Sequence, residues 1–215
     1  GLENRIVYDL VDVAEGNCRL HQALIKDKRF DDLYLLPAAQ TKDKDSIAPE
    51  QMSKIIGELK QDFDYVLIDC PAGIEQGFKN AVAGADRAIV VTTPEISSVR
   101  DADRIIGLLE PYNIDQPKLV INRIRSQMMK RGEMLDVDEI VNILGIDLLG
   151  IVPDDEEVIR SSNLGEPAVL KPETRAAMAY RNIARRILGD SVPLMNLEEE
   201  RGVLSRVKRL FGIRS

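Results

Sequence analysis

The feature that most constrains the fold is a series of short, unbroken apolar runs separated by longer segments with helical periodicity. Each run has the length of one strand, and the runs lie at residues 33–36, 65–68, 88–91, 119–121 and 148–152. Unbroken runs predict strands that are buried on both faces, as in parallel sheets. Helices are predicted between them, at residues 50–63, 75–83, 98–109, 137–144 and 174–188. This alternation predicts an α/β fold with a doubly wound, mostly parallel sheet flanked by helices.

Charge and cysteine content narrow the class of protein. The formal net charge of −7 argues against a surface built for nucleic acid, so no nucleic-acid partner is expected. Cys18 and Cys70 are far apart and form no Cys-x-x-Cys motif. With no secretory h-region in the sequence, these thiols favour a reducing cytoplasmic compartment. The apolar runs are also too short for a membrane-spanning helix, which needs ~20 residues.

The composition changes near the C-terminus. We expect residues 1–195 to form one domain, residues 196–202 a linker, and residues 203–215 an amphipathic helix. With helical spacing, one face of that segment is apolar and basic side chains lie beside it: Val203, Leu204, Val207, Leu210 and Phe211, with Lys208 and Arg209 away from them. A segment of this type is predicted to lie reversibly on an anionic membrane surface. The alternative is a terminal helix packed on the core, which the lack of acidic residues after Glu200 disfavours.

Polar residues follow several of the predicted strands, at the sheet edge where α/β proteins bind ligands. The run at 64–68 is followed by Asp69, a pattern typical of a Walker B carboxylate that supports Mg²⁺, although a strand-end cap is also possible. Gly73 then allows a close backbone approach to a phosphate, or simply a turn. Asn122 carries a carboxamide that could match the donor and acceptor of adenine, or could be a turn residue.

The segment at residues 69–77 resembles the Walker B and switch II region of the MinD family, ATPases that place the bacterial division septum. The resemblance continues through residues 92–95, 98–104, 120–123 and 162–167 into the basic tail, and covers essentially the whole chain. It implies that Asp69 holds Mg²⁺ through water and that Gly73 senses the γ-phosphate of ATP. Asn122 would recognise adenine, with Arg123, Pro153 and Asp154 flanking the base.

The resemblance also implies partners and a location. The helix from residue 98 would present Arg100, Asp101 and Asp103 to the division inhibitor MinC and to MinE, although without the resemblance these charges would be a solvated helix face. ATP would drive formation of a homodimer that associates with the inner face of the cell membrane. The expected function is an ATP-dependent switch that positions the septum by recruiting MinC and responding to MinE or to a DivIVA-linked Min protein.

One motif of that family is not found among the 215 residues, which contain no Gly-x-x-x-x-Gly-Lys-Ser/Thr sequence. The family carries Lys-Gly-Gly-x-x-Gly-Lys-Thr near its N-terminus, so we expect this loop upstream of Gly1. Without it the chain is expected to bind and hydrolyse ATP poorly. Three alternatives stay open: a ParA-like DNA-partitioning ATPase, a metal-cluster carrier with Cys70 as ligand, and a non-catalytic scaffold.

Overall fold

A computed structural model describes residues 5–38, 47–171 and 173–197 of the chain. The chain divides into two compact units, which are described separately. Unit 1 comprises Gly1–Ala88 and Leu108–Asp115, and unit 2 comprises Ile89–Gly107 and Gln116–Ser215.

Unit 1 is mainly helical. Its elements are α1 (Leu10–Ala14), α2 (Leu20–Ala23), β1 (Ile25–Lys26), β2 (Tyr34–Leu35), α3 (Pro49–Asp62) and α4 (Gln76–Ala83). The Asp9 carboxylate begins α1 by accepting the backbone N–H of Val11 at 2.8 Å. Pro49 suits the first position of α3, where its missing N–H leaves no hydrogen bond unmade.

The core of unit 1 lies between α3 and α4. Ile55, Ile56 and Leu59 of α3 are buried on its inner face. At the end of α4, Gly84 lets α3 approach closely, since a β-carbon there would lie 2.6 Å from the Ile56 Cδ1 atom. Phe78 of α4 also packs edge-to-face on Tyr112, with ring centroids 6.3 Å apart.

Unit 2 contains a parallel sheet of three strands in the order β3, β4, β5. Its elements are β3 (Ile89–Thr92), α5 (Ile96–Leu109), β4 (Lys118–Ile124), α6 (Ser126–Lys130), α7 (Val137–Leu144), β5 (Asp147–Pro153), α8 (Glu156–Asn163) and α9 (Arg175–Ile187). The last two residues of α5 belong to unit 1. The helices α5 and α7 lie in the connections between parallel strands, which confirms the predicted α/β class.

The core of unit 2 lies between its sheet and α9. Leu119 and Ile121 of the central strand β4 are fully buried. Val120, Leu149 and Val152 pack with the small α9 residues Ala176 and Ala179. At Gly150 the strand also touches α9, because a β-carbon there would overlap the Ile183 side chain.

Two of the five predicted strands are wrong. In the first run only Tyr34–Leu35 forms a strand, and it is antiparallel and exposed. Residues 64–70 form neither helix nor strand, and Leu67 is 84% exposed. The physical reason is the lack of a ladder partner: no strand of the described residues pairs with this segment, so its backbone groups form no sheet.

The five predicted helices all form, with ends within two residues of the prediction, as α3, α4, α5, α7 and α9. The sequence analysis missed the short helices α1, α2 and α6, and the two-turn helix α8. No helix in the described part of the chain has the length and apolar character needed to cross a bilayer.

Candidate functional site

The carboxyl end of β4 is irregular in a way that turns its polar residues outward. The pairing of β4 with β5 shifts between Ile121 and Ile124, so that β4 contains one extra residue there. Arg123 lies in this bulge with φ of 58°, in the left-handed region. The Asn122 Oδ1 atom accepts the Arg123 backbone N–H at 2.9 Å and supports the turn. Bulges redirect side chains and often lie next to binding sites.

Asp154, which directly follows β5, lies against this bulge. Its Oδ2 atom is 2.6 Å from Nε of Arg125, and its Oδ1 atom is 3.6 Å from Nε of Arg123. The Asp154 backbone N–H also donates to the Ile124 carbonyl at 2.9 Å, beyond the last ladder pair. The ends of two adjacent strands are therefore joined by a three-residue cluster of charges.

The next residue, Asp155, joins two helices to the same strand end. Its Oδ1 atom accepts the backbone N–H of Glu157 at 2.9 Å and caps α8. Its Oδ2 atom accepts the backbone N–H of Ala176, in the first turn of α9, at 3.2 Å. Burial raises the pKa of Tyr180, and the negative charge of Asp155 raises it further. The Asp155 carboxylate therefore binds the first turns of both α8 and α9, where the partial positive charge of a helix N-terminus favours an anion.

An open cleft of about 440 Å³ lies at this strand end, lined by Pro153, Asp154, Asp155, Glu156, Glu157, Arg160 and Arg175. Pro153 is buried, as expected for the last residue of β5. At the cleft wall Glu157 forms an ion pair with Lys171 and a second, at 3.7 Å, with Arg160. The hydrogen bond from Lys171 lowers the pKa of Glu157, so this carboxyl is ionised at neutral pH.

The segment at residues 64–73 contains the other predicted site residues and belongs to unit 1. Asp69 is exposed, as is Cys70. The pKa of the Cys70 thiol is raised because neighbouring atoms displace part of the water around this exposed side chain, and the Asp69 charge adds to this effect. Gly73 has φ of 96°, which a residue with a side chain rarely adopts, so this glycine is required by the turn.

The same loop rests on α4 through one close contact. A β-carbon on Gly77, in the first turn of α4, would lie 2.5 Å from Cγ of Pro71. The Pro71 ring therefore fits against the helix only because residue 77 lacks a side chain. The contact places Pro71 against α4, two residues before Gly73.

The predicted partner residues lie on a solvent-exposed face of α5. Arg100, Asp101 and Asp103 are all exposed on α5, whereas Val99 and Ala102 of the same helix are buried. Before α5 the Thr93 hydroxyl donates to the Ser98 hydroxyl at 2.9 Å, across the helix start. This face of α5 is therefore accessible to a partner. The opposite face is buried and anchors the helix.

The predicted residues fall into two groups. Asn122, Arg123, Pro153 and Asp154 meet at the β4 and β5 ends of unit 2, whereas Asp69 and Gly73 lie on one loop of unit 1. The membrane residues 203–211 lie outside the described residues. Among those described, no group of three histidine, cysteine or acidic side chains could hold a metal ion.

Sequence reasoning missed Arg125 and Arg175 as site residues, and it missed that Asp155 begins a helix. Arg125 lies just past the end of β4, and the bulge at Arg123 that precedes it has no signal in the sequence. Asp155 is followed by two glutamates, a pattern typical of a helix start. Arg175 carried no comparable signal.

Comparisons with known proteins indicate a P-loop NTPase of the ParA and MinD type. The family model of ParA, described as NUBPL iron-transfer P-loop NTPase, matches residues 46–188. The septum site-determining protein MinD of Bacillus subtilis is 68% identical over 100% of this chain and 81% of that protein.

Solved structures give the same result. The MinC:MinD cell division protein complex of Aquifex aeolicus matches with a TM-score of 0.84 and 47% identity, over 91% of this chain and 79% of that one. MinD of Pyrococcus horikoshii complexed with Mg-ADP matches with a TM-score of 0.75 and 26% identity, over 86% and 77%.

Proposed function

This chain belongs to the MinD family of septum site-determining P-loop NTPases, and we propose that it acts as an ATP-dependent switch at the membrane surface. Its role is to position the division septum. Members of this family bind a nucleotide with Mg²⁺, whereas the 215 residues of this sequence lack the phosphate-binding loop and are expected to bind ATP poorly. ATP as the specific nucleotide, the homodimer, the membrane and a MinE-like regulator are parts of the proposal. The DNA-partitioning alternative is not favoured. Relatives that are 68% and 48% identical over 100% and 97% of this chain are septum site-determining proteins.

The observation that carries the proposal is the polar cluster at the ends of β4 and β5. The Oδ1 atom of Asn122 accepts the Arg123 backbone N–H. The amide NH₂ group at Nδ2 is left as a donor for a ring nitrogen of adenine. Arg123, Pro153 and Asp154 would flank the base, and an open cleft lined in part by Pro153 and Asp154 lies at the same strand end. Polar loops at the carboxyl ends of parallel strands are where α/β proteins bind nucleotides.

Asp69 and Gly73 of unit 1 are proposed, from the resemblance, to interact with Mg²⁺ and with a phosphate. An exposed carboxylate suits Mg²⁺ held through water, since this ion keeps several water ligands. When bound, Mg²⁺ neutralises charge on the phosphates. Gly73, with its positive φ, could present its backbone N–H to a γ-phosphate in a conformation that other residues would resist.

Membrane association would depend on residues 203–215. The apolar residues Val207, Leu210 and Phe211 recur at helical spacing, and each basic residue near an anionic surface contributes ~1 kcal/mol. One such segment binds weakly. Two segments in an ATP-bound homodimer would bind with much higher avidity, because the second one associates at high effective concentration.

Cosedimentation with anionic vesicles tests the membrane part. Leu210→Glu should reduce the bound fraction severalfold, because it places a charge on the apolar face. Leu164→Glu is the matched control, since Leu164 is an exposed leucine of unit 2 outside the tail. Equal vesicle binding by wild type and Leu210→Glu would contradict the proposal. Binding to DNA that survives Leu210→Glu would instead favour the DNA-partitioning alternative.

MinC is the proposed partner of the exposed α5 face. The double variant Asp101→Lys/Asp103→Lys should weaken MinC binding by about tenfold or more, since charge reversal at an interface adds repulsion and removes attraction. Glu58→Lys on α3 is an exposed acidic control in unit 1. Surface plasmon resonance with immobilised MinC measures both. Unchanged affinity of the double variant would remove α5 from the interface.

A further inference from the structure

The carboxylates at the β4–β5 end are already occupied by donors of the protein itself. The two oxygens of Asp154 face Arg125 and Arg123, at 2.6 and 3.6 Å. The two oxygens of Asp155 accept backbone N–H groups from α8 and α9. Three of these four carboxylate oxygens therefore accept a hydrogen bond, and Oδ1 of Asp154 lies at ion-pair distance from Arg123.

This matters because adenine and guanine differ in hydrogen-bonding pattern. On its Watson–Crick edge guanine presents two donors, N1–H and the 2-amine, whereas adenine presents one donor and one acceptor. A carboxylate with free oxygens can accept both guanine donors at once and therefore favours guanine over adenine. A carboxylate that is paired with arginine cannot do so without losing that pair.

The ion pair with Asp154 also limits the hydrogen bonds that Arg125 can donate to guanine. Guanine O6 and N7 are good acceptors for a guanidinium. The Arg125 Nε–H donates to Asp154, and a second nitrogen of Arg125 lies 3.9 Å from Sδ of Met128. The pair thus removes one acceptor that guanine would use, Oδ2 of Asp154, and engages one of the five N–H donors of the Arg125 guanidinium.

We propose that Arg125 is a specificity-determining residue, which makes the site reject guanine by sequestering the carboxylate of Asp154. The inference rests on the proposed base site and adds the residue that sets its selectivity. The bulge in β4 makes this possible, because it brings Arg123 and Arg125 to the same carboxylate while Asn122 supplies the donor for adenine.

The substitution Arg125→Ala frees Oδ2 of Asp154, the oxygen that accepts a hydrogen bond, and leaves Oδ1 only the longer contact of 3.6 Å with Arg123, so it tests the proposal. Affinities of the full chain for AMP and GMP are measured by NMR titration, a method suited to weak binding, so that the base dominates the difference. Wild type should prefer AMP, and Arg125→Ala should lower this preference by about tenfold, as expected for one lost base-discriminating interaction. Arg125→Lys, which keeps the charge, should retain part of the preference.

Two further variants separate selectivity from general damage. Arg125→Ala/Asp154→Ala removes the freed carboxylate and should return GMP affinity to the wild-type level. Arg131→Ala, which breaks an exposed pair with Glu133 on the same unit, should leave the AMP to GMP ratio unchanged. An Arg125→Ala ratio equal to that of wild type would overturn the inference and leave the base site standing. Binding of neither nucleotide by wild type would contradict the base site itself and the inference with it.

Discussion

The runs at residues 64–69 and 118–123 have the same pattern in sequence, an apolar stretch that ends in polar residues, yet they differ in structure. The second is the central strand β4, with a strand on each side and Leu119 fully buried. The first is neither helix nor strand, and its Leu67 is 84% exposed. The difference shows that an apolar run only makes a strand possible. A neighbouring strand is also needed, because the backbone N–H and C=O groups of the run must form hydrogen bonds.

The largest effect should come from truncating the same residue type in both runs. Leu119→Ala should lower the free energy of unfolding by ~2–5 kcal/mol, because it leaves a cavity beneath β4. Leu67→Ala should change it by less than ~0.5 kcal/mol, as for most exposed positions. Urea denaturation measures both. Similar losses for the two variants would show that residues 64–69 are as well packed as β4, and the comparison would fail.

A smaller effect is expected from adding a methyl group in each unit. Gly150→Ala forces a β-carbon into the Ile183 side chain within the packed sheet–helix interface, at a cost of ~1–3 kcal/mol. Gly77→Ala forces one against Pro71, which belongs to a loop without ladder bonds and can shift. We therefore expect the smaller decrease in melting temperature for Gly77→Ala. A larger decrease for Gly77→Ala would mean that the loop is rigid.

The smallest effect should come from ion pairs, which also sharpen the contrast between the units. The pKa of Glu157 in unit 2 is lowered by Lys171, so this pair stabilises the fold above the ordinary value of 4.5 and loses its effect as the pH falls through the lowered value. Glu157→Gln should reduce the melting temperature at pH 7, and the difference should disappear in acid.

Asp27 in unit 1 provides the comparison, because the hydrogen bond from Arg29 lowers its pKa to about 2. The melting temperature of Asp27→Asn should therefore rejoin that of wild type only near that pH. Melting curves recorded from pH 7 to pH 2 test both variants. A difference for either that grows with acid would reverse the predicted sign.

The sequence was sufficient for those parts of the fold in which local pattern and tertiary context agree. Residues 119–121 and 148–152 are apolar and pair with neighbouring strands. The helix α7 has both an apolar face and a capping aspartate, Asp136. The helix α8 was missed because its sequence, with three glutamate or arginine side chains and two serines, has little apolar periodicity. Its start depends on Asp155, whose carboxylate also holds α9, a tertiary contact that local pattern does not contain.

The candidate site was predictable to a similar extent. Asn122 and Asp154 follow from the rule that ligands lie at strand ends. The bulge at Arg123 did not, because the sequence of β4 is equally compatible with a regular strand. Arg125 was therefore overlooked, although it forms the shortest contact with Asp154.

The most direct test of the account is whether unit 2 recognises adenine through Asn122. The titration of AMP into the ¹⁵N-labelled chain should shift the resonances of Asn122, Arg123 and Asp154, and Asn122→Ala should weaken binding by about tenfold. Asn142→Ala, an exposed asparagine on α7, should bind as wild type does. Equal affinity of Asn122→Ala and wild type, or shifts confined to other parts of the chain, would contradict the assignment of the base site to the ends of β4 and β5.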